Sequence, residues 1–146
     1  MVLRAIIRDL RSRYGTDYRV VRASSGAQAL AVLAELALRL RPVALIVTDQ
    51  RMPGMTGTDL LAQARTHAAE ARFLLLTAYA DTDVAIRAIN EVGLDYYLVK
   101  PWDPPAERLY PVIDDLLDMS RILAGKMTLE TEPLEVSARF FGTLSR

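Results

Sequence analysis

Apolar residues Val2, Leu3, Ile6, Ile7 and Leu10 recur at three- and four-residue spacing, which lays them on one face of a helix. Tyr18 to Val21 is short and β-prone. Ser25 with Gln28 three positions later forms the pattern of a capping box and predicts a second helix through Leu40. Val43 to Val47 is an unbroken apolar run that stops at Thr48-Asp49, and a Pro/Gly-containing loop, Pro53 to Gly57, leads into a helix through Arg65. Phe73 to Leu76 repeats the theme and stops at Thr77. Asp81 is placed to cap a helix that runs to Val92 and ends at Gly93, and Tyr96 to Val99 forms a third apolar run, ending at Lys100-Pro101. A final helix starts near Pro104-Pro105. Pro111, about two turns in, predicts a late start or a kink there, after which Leu109, Ile113, Leu116 and Leu117 make an inward stripe.

Strands alternating with helices predict an α/β fold. Parallel strands covered on both faces read as continuous apolar runs, as these three do. The tail changes character, because Leu134, Val136, Ala138 and Phe140 alternate with Glu135, Ser137 and Arg139, the pattern of a half-buried strand or extended arm. The chain therefore divides into a main domain, 1–119, and a C-terminal helix extension and tail, 120–146.

Composition narrows the class. The 146 residues carry 18 Lys plus Arg against 18 Asp plus Glu, and this balance argues against a nucleic-acid binder, which needs a basic surface. Cysteine is absent, which removes disulfide scaffolds and thiol chemistry and fits a cytoplasmic setting. The longest apolar candidate, Ala27 to Leu40, is interrupted by Glu35 and Arg39, so no membrane span is expected. No secretory pattern opens the chain, and no nucleotide-binding glycine fingerprint or P-loop is present.

Parallel βαβ units gather the carboxyl ends of their strands along one sheet edge, and here those ends carry Asp49, Thr77 and Lys100. Each alone is explained by the chain returning to water. Together, a carboxylate, a hydroxyl and an ammonium beside a Gly-containing loop can handle a phosphoryl group: the carboxylate attacks phosphorus, and the other groups hold the equatorial oxygens.

The segment Asp49-Gln50-Arg51-Met52-Pro53-Gly54-Met55-Thr56-Gly57 resembles the phosphoacceptor loop of the two-component response-regulator receiver domain. Thr77-Ala78 is similar to that family's switch hydroxyl and the small residue after it, Lys100-Pro101 to its lysine and cis-proline, and Tyr97 to its rotating aromatic. The resemblance covers about residues 1 to 119. It implies a flavodoxin-like three-layer fold, a non-enzymatic signalling role, phosphorylation of Asp49 by a sensor histidine kinase, and output through the family's fourth helix, fifth strand and fifth helix. Thr77 and Tyr97 would form the switch, and Asp49 with the Arg51 carbonyl would contact Mg2+.

One departure bears on the metal. The family opens with a strand ending in two acidic residues that help hold magnesium, whereas this sequence opens in a helix whose nearest acid is Asp9. Asp49 and one carbonyl make a poor octahedral site. The sheet is expected to lack its first strand, leaving an interior position to be closed by rearrangement, by the tail strand, or by a second chain in a homodimer. Residues 113–126 resemble the end of a histidine-kinase dimerisation helix, but the single histidine, His67, lies elsewhere and has no kinase context. The competing reading is a phosphorylation-independent interaction or dimerisation module.

Overall fold

The computed structural model describes residues 2–16, 18–100, 105–127 and 137–141. The readings made on Pro101, Pro104, Leu134, Glu135 and Val136 lie outside them. In chain order the elements are α1 (Val2–Tyr14), β1 (Val21–Ala23), α2 (Gly26–Leu38), β2 (Val43–Asp49), α3 (Gly57–Ala64) and β3 (Arg72–Thr77). A 3-10 turn, Tyr79–Asp81, then precedes α4 (Thr82–Glu91), β4 (Tyr96–Val99), α5 (Pro105–Arg108), α6 (Tyr110–Met127) and β5 (Ser137–Phe141).

The five strands form one sheet in the order β1-β5-β2-β3-β4, and every pairing is parallel. Two apolar layers cover it. On one side Leu10, Tyr14 and Tyr18 pack with Leu45, Val47, Leu74 and Leu76 and with Leu109, Ile113, Leu116 and Leu117. On the other, Ala29, Leu33 and Leu36 join Leu60, Leu61, Ala64, Ala85 and Ala88 over Ile46, Phe73 and Leu75. β2 is buried at all seven positions, which is why its sequence shows no alternation.

The sheet is not short of a strand. The position expected to stand open, between β1 and β2, is occupied by β5: Val21 pairs with Arg139, Ala23 with Phe141, Ile46 with Arg139 and Val47 with Phe140. Of the three ways foreseen to close the gap, insertion of the tail strand is the one observed. The β-prone segment from Tyr18 begins its strand only at Val21, because the Tyr18 N–H is still committed to the Tyr14 carbonyl at 2.8 Å, closing the end of α1.

Helix ends follow local chemistry. The Ser25 hydroxyl accepts from the Gln28 N–H at 3.1 Å, as the capping pattern predicts, and Gln28 reaches back to the Ser24 N–H instead of completing the box at Ser25. Helix α2 stops at Leu38 instead of Leu40. The Leu40 N–H bonds the Ala37 carbonyl and the Arg41 N–H the Leu36 carbonyl, a Schellman closure that puts Leu40 at φ 56°, where glycine is normally found. Asp81 sits at the start of α4 but makes no side-chain cap: the 3-10 turn runs straight into the helix, leaving its backbone at φ −105°, ψ 12°, and its carboxylate is engaged by Arg51. Around Pro111 the chain breaks between α5 and α6 at Leu109, so the proline falls in the first turn of α6, where its missing N–H costs nothing.

Arg65, at the end of α3, ties the opposite edge of the sheet together. Its guanidinium donates to the carbonyls of Ala69, Ala71, Val92 and Gly93 at 2.9 to 3.3 Å, and its carbon lies 3.8 Å from the Phe73 ring centroid. Five donors in a planar fork suit this task where lysine would not.

Two outcomes follow from this packing. Leu40 is 89% exposed, so Leu40→Gly removes backbone strain without removing burial; the expected result is a gain of about 1 kcal/mol in a urea melt. Deleting residues 137–146 strips β1 of its strand partner and β2 of one of its two, and the expected loss is several kcal/mol, seen as a lowered or absent cooperative thermal transition.

Candidate functional site

β2, β3 and β4 deliver their carboxyl ends to one rim. Asp49 ends β2 in register with Leu76, Thr77 ends β3 in register with Val99, and Lys100 follows β4 directly. The Lys100 N–H donates to the Thr77 carbonyl at 2.8 Å, which fixes where the lysine leaves the sheet. Its Nζ then lies 3.5 Å from Asp49 Oδ2, so the carboxylate and the ammonium foreseen from sequence do meet. Thr77 is fully buried at the neighbouring strand end, and its hydroxyl donates to the Ala78 carbonyl at 3.2 Å. Tyr97 is half-buried and packs against the layer that contains α4.

The electrostatics are those of a carboxylate withdrawn from water. The Asp49 side chain is 4% exposed against 42% for Lys100. Burial pushes the Asp49 carboxyl above its ordinary range; the Lys100 ammonium and the Gln50 N–H oppose the shift, and the negative charge of Asp81 adds to it.

The loop after Asp49 is rigid for reasons the sequence reading did not single out. Gln50 is buried: its N–H donates to the Leu76 carbonyl, its Oε1 accepts from the Thr58 N–H at 3.0 Å, and its Nε2 donates to the Thr58 hydroxyl at 3.3 Å. The Gly57 N–H returns to the Gln50 carbonyl at 2.9 Å. A Cβ on Gly57 would come 2.4 Å from the Asp49 carbonyl oxygen, so only glycine lets α3 start this close to the end of β2. An uncharged amide placed where an apolar run meets a turn was the available signal for Gln50. Thr58 carried none.

The sequence matches the response regulator receiver domain family over residues 1–110. The chain belongs to this family. Relatives include the hydrogenase transcriptional regulatory protein HoxA of Cupriavidus necator, 38% identical over 65% of this chain and 19% of that protein. Another is the transcriptional regulatory protein ZraR of Klebsiella oxytoca, 32% identical over 97% of this chain and 27% of that protein. The chain thus spans about a fifth to a quarter of these relatives' length. Among solved structures, a response regulator receiver domain protein from Clostridium thermocellum superposes with a TM-score of 0.65 at 25% identity, covering 82% of this chain and 90% of the other. An adenylate cyclase from Rhodopirellula baltica gives 0.71 at 27% identity, over 84% and 87%. The flavodoxin-like α/β fold of receiver domains is therefore the fold of this chain.

Receiver domains typically bind Mg2+, and the described residues do not fit it. No group of three or more His, Asp or Glu side chains converges among them, and the site offers a single carboxylate with an ammonium beside it. The Arg51 side chain, beside the carbonyl expected to contact the metal, turns instead to Asp81.

The raised affinity of Asp49 for a proton gives a test with a defined sign. An acid whose folded-state pKa is raised weakens the fold once it ionises. Asp49→Asn is therefore expected to unfold at a higher temperature than wild type at pH 7. That advantage should shrink as pH falls through the folded-state pKa toward the ordinary carboxylate range, as read by calorimetry across pH.

Proposed function

We propose that Asp49 is the phosphoacceptor of this receiver domain, and that Lys100 and Thr77 stabilise the phosphoryl group it receives. The observation that carries the reading is the 3.5 Å approach of the Lys100 ammonium to a carboxylate almost wholly removed from water. An Asp49 oxygen attacks the phosphorus of a phosphohistidine or acyl phosphate donor, and the bond from phosphorus to the leaving group breaks with its electron pair departing on that group. Lys100 neutralises charge on the transferred oxygens. The Thr77 hydroxyl, now on the Ala78 carbonyl, is free to rotate toward them, and the space it leaves admits Tyr97.

The partner supplying the phosphoryl group is a sensor histidine kinase, in a cytoplasmic setting. Output passes through the face built from α4, β4 and the final helices, where Ile86, Ile89 and Tyr96 stay exposed in spite of their size. Residues 1–119 act as the signalling unit, and no nucleic-acid contact is assigned to this chain itself. Its relatives named as transcriptional regulators are about four to five times longer than the matched segment, so an attached effector is compatible with this reading. No described helix is long and apolar enough to cross a membrane. A second reading, a phosphorylation-independent interaction or dimerisation module, is favoured by one observation, the lone carboxylate where a magnesium ion would need several oxygen ligands.

Incubation with acetyl phosphate and Mg2+, followed by intact mass spectrometry, separates the two. The expected result is one added phosphoryl group on wild type and none on Asp49→Asn. Lys100→Ala should slow labelling on the order of a hundredfold, the usual cost of removing one preorganised donor. An unmodified wild type would leave the interaction module standing.

A further inference from the structure

Arg51 and Asp81 form a bond that the chemistry of the acceptor site does not require. Arg51 Nε lies 2.8 Å from Asp81 Oδ2, and its terminal nitrogen 3.2 Å from Oδ1, a bidentate fork. The pair joins the two loops that border the site: Arg51 stands two residues after Asp49, and Asp81 four residues after Thr77. Asp81 is also the last residue of the 3-10 turn, Tyr79–Asp81, that leads into α4. Arg51 is 73% exposed, whereas Asp81 is only 17% exposed, so the arginine can leave for another partner more readily than the aspartate can turn to water.

Arg51 lies in the loop that follows Asp49, and the charge of Asp81 is the smallest of the influences that raise the buried Asp49 carboxyl. The coupling is reciprocal by thermodynamic necessity. A negative charge gained at Asp49, two residues before Arg51, would oppose that of Asp81 and compete for the exposed guanidinium. A phosphoryl group brings a charge of roughly −1.5 to −2 and three acceptor oxygens, a stronger claim on a guanidinium than one carboxylate has.

We propose that the Arg51–Asp81 pair is a charge-operated latch: negative charge gained at Asp49 draws the guanidinium off Asp81 and releases the Tyr79–Asp81 turn and the start of α4. The trigger rests on the phosphoacceptor reading, but the holding function of the pair does not. In the unmodified protein the Asp81 carboxylate makes no cap to α4 and is given to Arg51, so the pair adds a side-chain tie at the residue where the helix begins. Release therefore leaves the turn to its own backbone bond, from the Asp81 N–H to the Ala78 carbonyl at 2.9 Å, and to the contacts of α4.

Hydrogen exchange of the amides of residues 79–84, read by NMR on the whole chain, tests both halves. In unmodified Arg51→Ala these amides should exchange roughly threefold faster than in wild type, a size suited to loss of an exposed pair. Asp81→Asn, which keeps the shape but not the charge, should match it. Wild type treated with acetyl phosphate and Mg2+ should move to the same rates, and Arg51→Ala, already released, should not respond. Wild-type protection persisting in Arg51→Ala overturns the latch, whatever happens at Asp49. Protection unchanged in wild type while mass spectrometry shows the phosphoryl adduct overturns the trigger. Absence of any adduct overturns the phosphoacceptor reading, and with it the trigger, while the Arg51→Ala rates still decide whether the pair holds the turn.

Discussion

The confinement of the Asp49 carboxylate, with the Lys100 ammonium as its close cation, is the constraint on which the rest of the structure turns. A charge this far from water is costly unless something answers it. The fold answers at the rim of the sheet: β2 is buried along its length and releases its last side chain where β4 can bring a lysine across from two strands away. The amine reaches that place because the Lys100 backbone is bonded to Thr77, the strand end lying between them. Sheet register, then, is what sets the charge geometry. A shift of one residue in β4 would move the lysine out of reach and turn Tyr96 and Tyr97 each to the face the other now holds.

Around this centre, loops are restrained by amide and guanidinium groups. Gln50 closes the acceptor loop through Thr58, Gly57 lets α3 begin against the Asp49 carbonyl, and Arg51 crosses to Asp81. The far edge is held by Arg65, which collects carbonyls from the segment after α3, the start of β3 and the end of α4. A side chain with one fixed charge and several donors serves where several backbone acceptors end together without a ladder to satisfy them.

Much of this was legible in the residues. Unbroken apolar runs ending in Thr48-Asp49, Thr77 and Lys100 gave the parallel sheet and its functional rim, because a strand buried on both faces cannot alternate and must end where the chain meets water. The place of β5 was legible only as one of several possibilities. Ala138 and Phe140 alternate with Ser137 and Arg139, which suggests a half-covered strand, yet the chain puts it in the sheet interior with Arg139 in register between Val21 and Ile46. Position in a sheet is decided by which edges lack partners, and local periodicity does not encode that. Leu40 misled the helix boundary because nothing in a leucine announces a left-handed turn. Asp81 had the right identity and place for a cap, and the competing attraction came from Arg51, thirty residues earlier.

The clasp of Arg65 on Val92 and Gly93 has a mechanical meaning. It fixes the far end of α4, a helix of ten residues and so about 15 Å long, while the near end is tied by the short turn and by the pairing of Arg51 with Asp81. A rod tied at both ends pivots about one of them when the other is let go. Letting go of the tie beside the acceptor rim would therefore tilt the exposed isoleucines, Ile86 and Ile89, by an amount set by their distance from the arginine fulcrum.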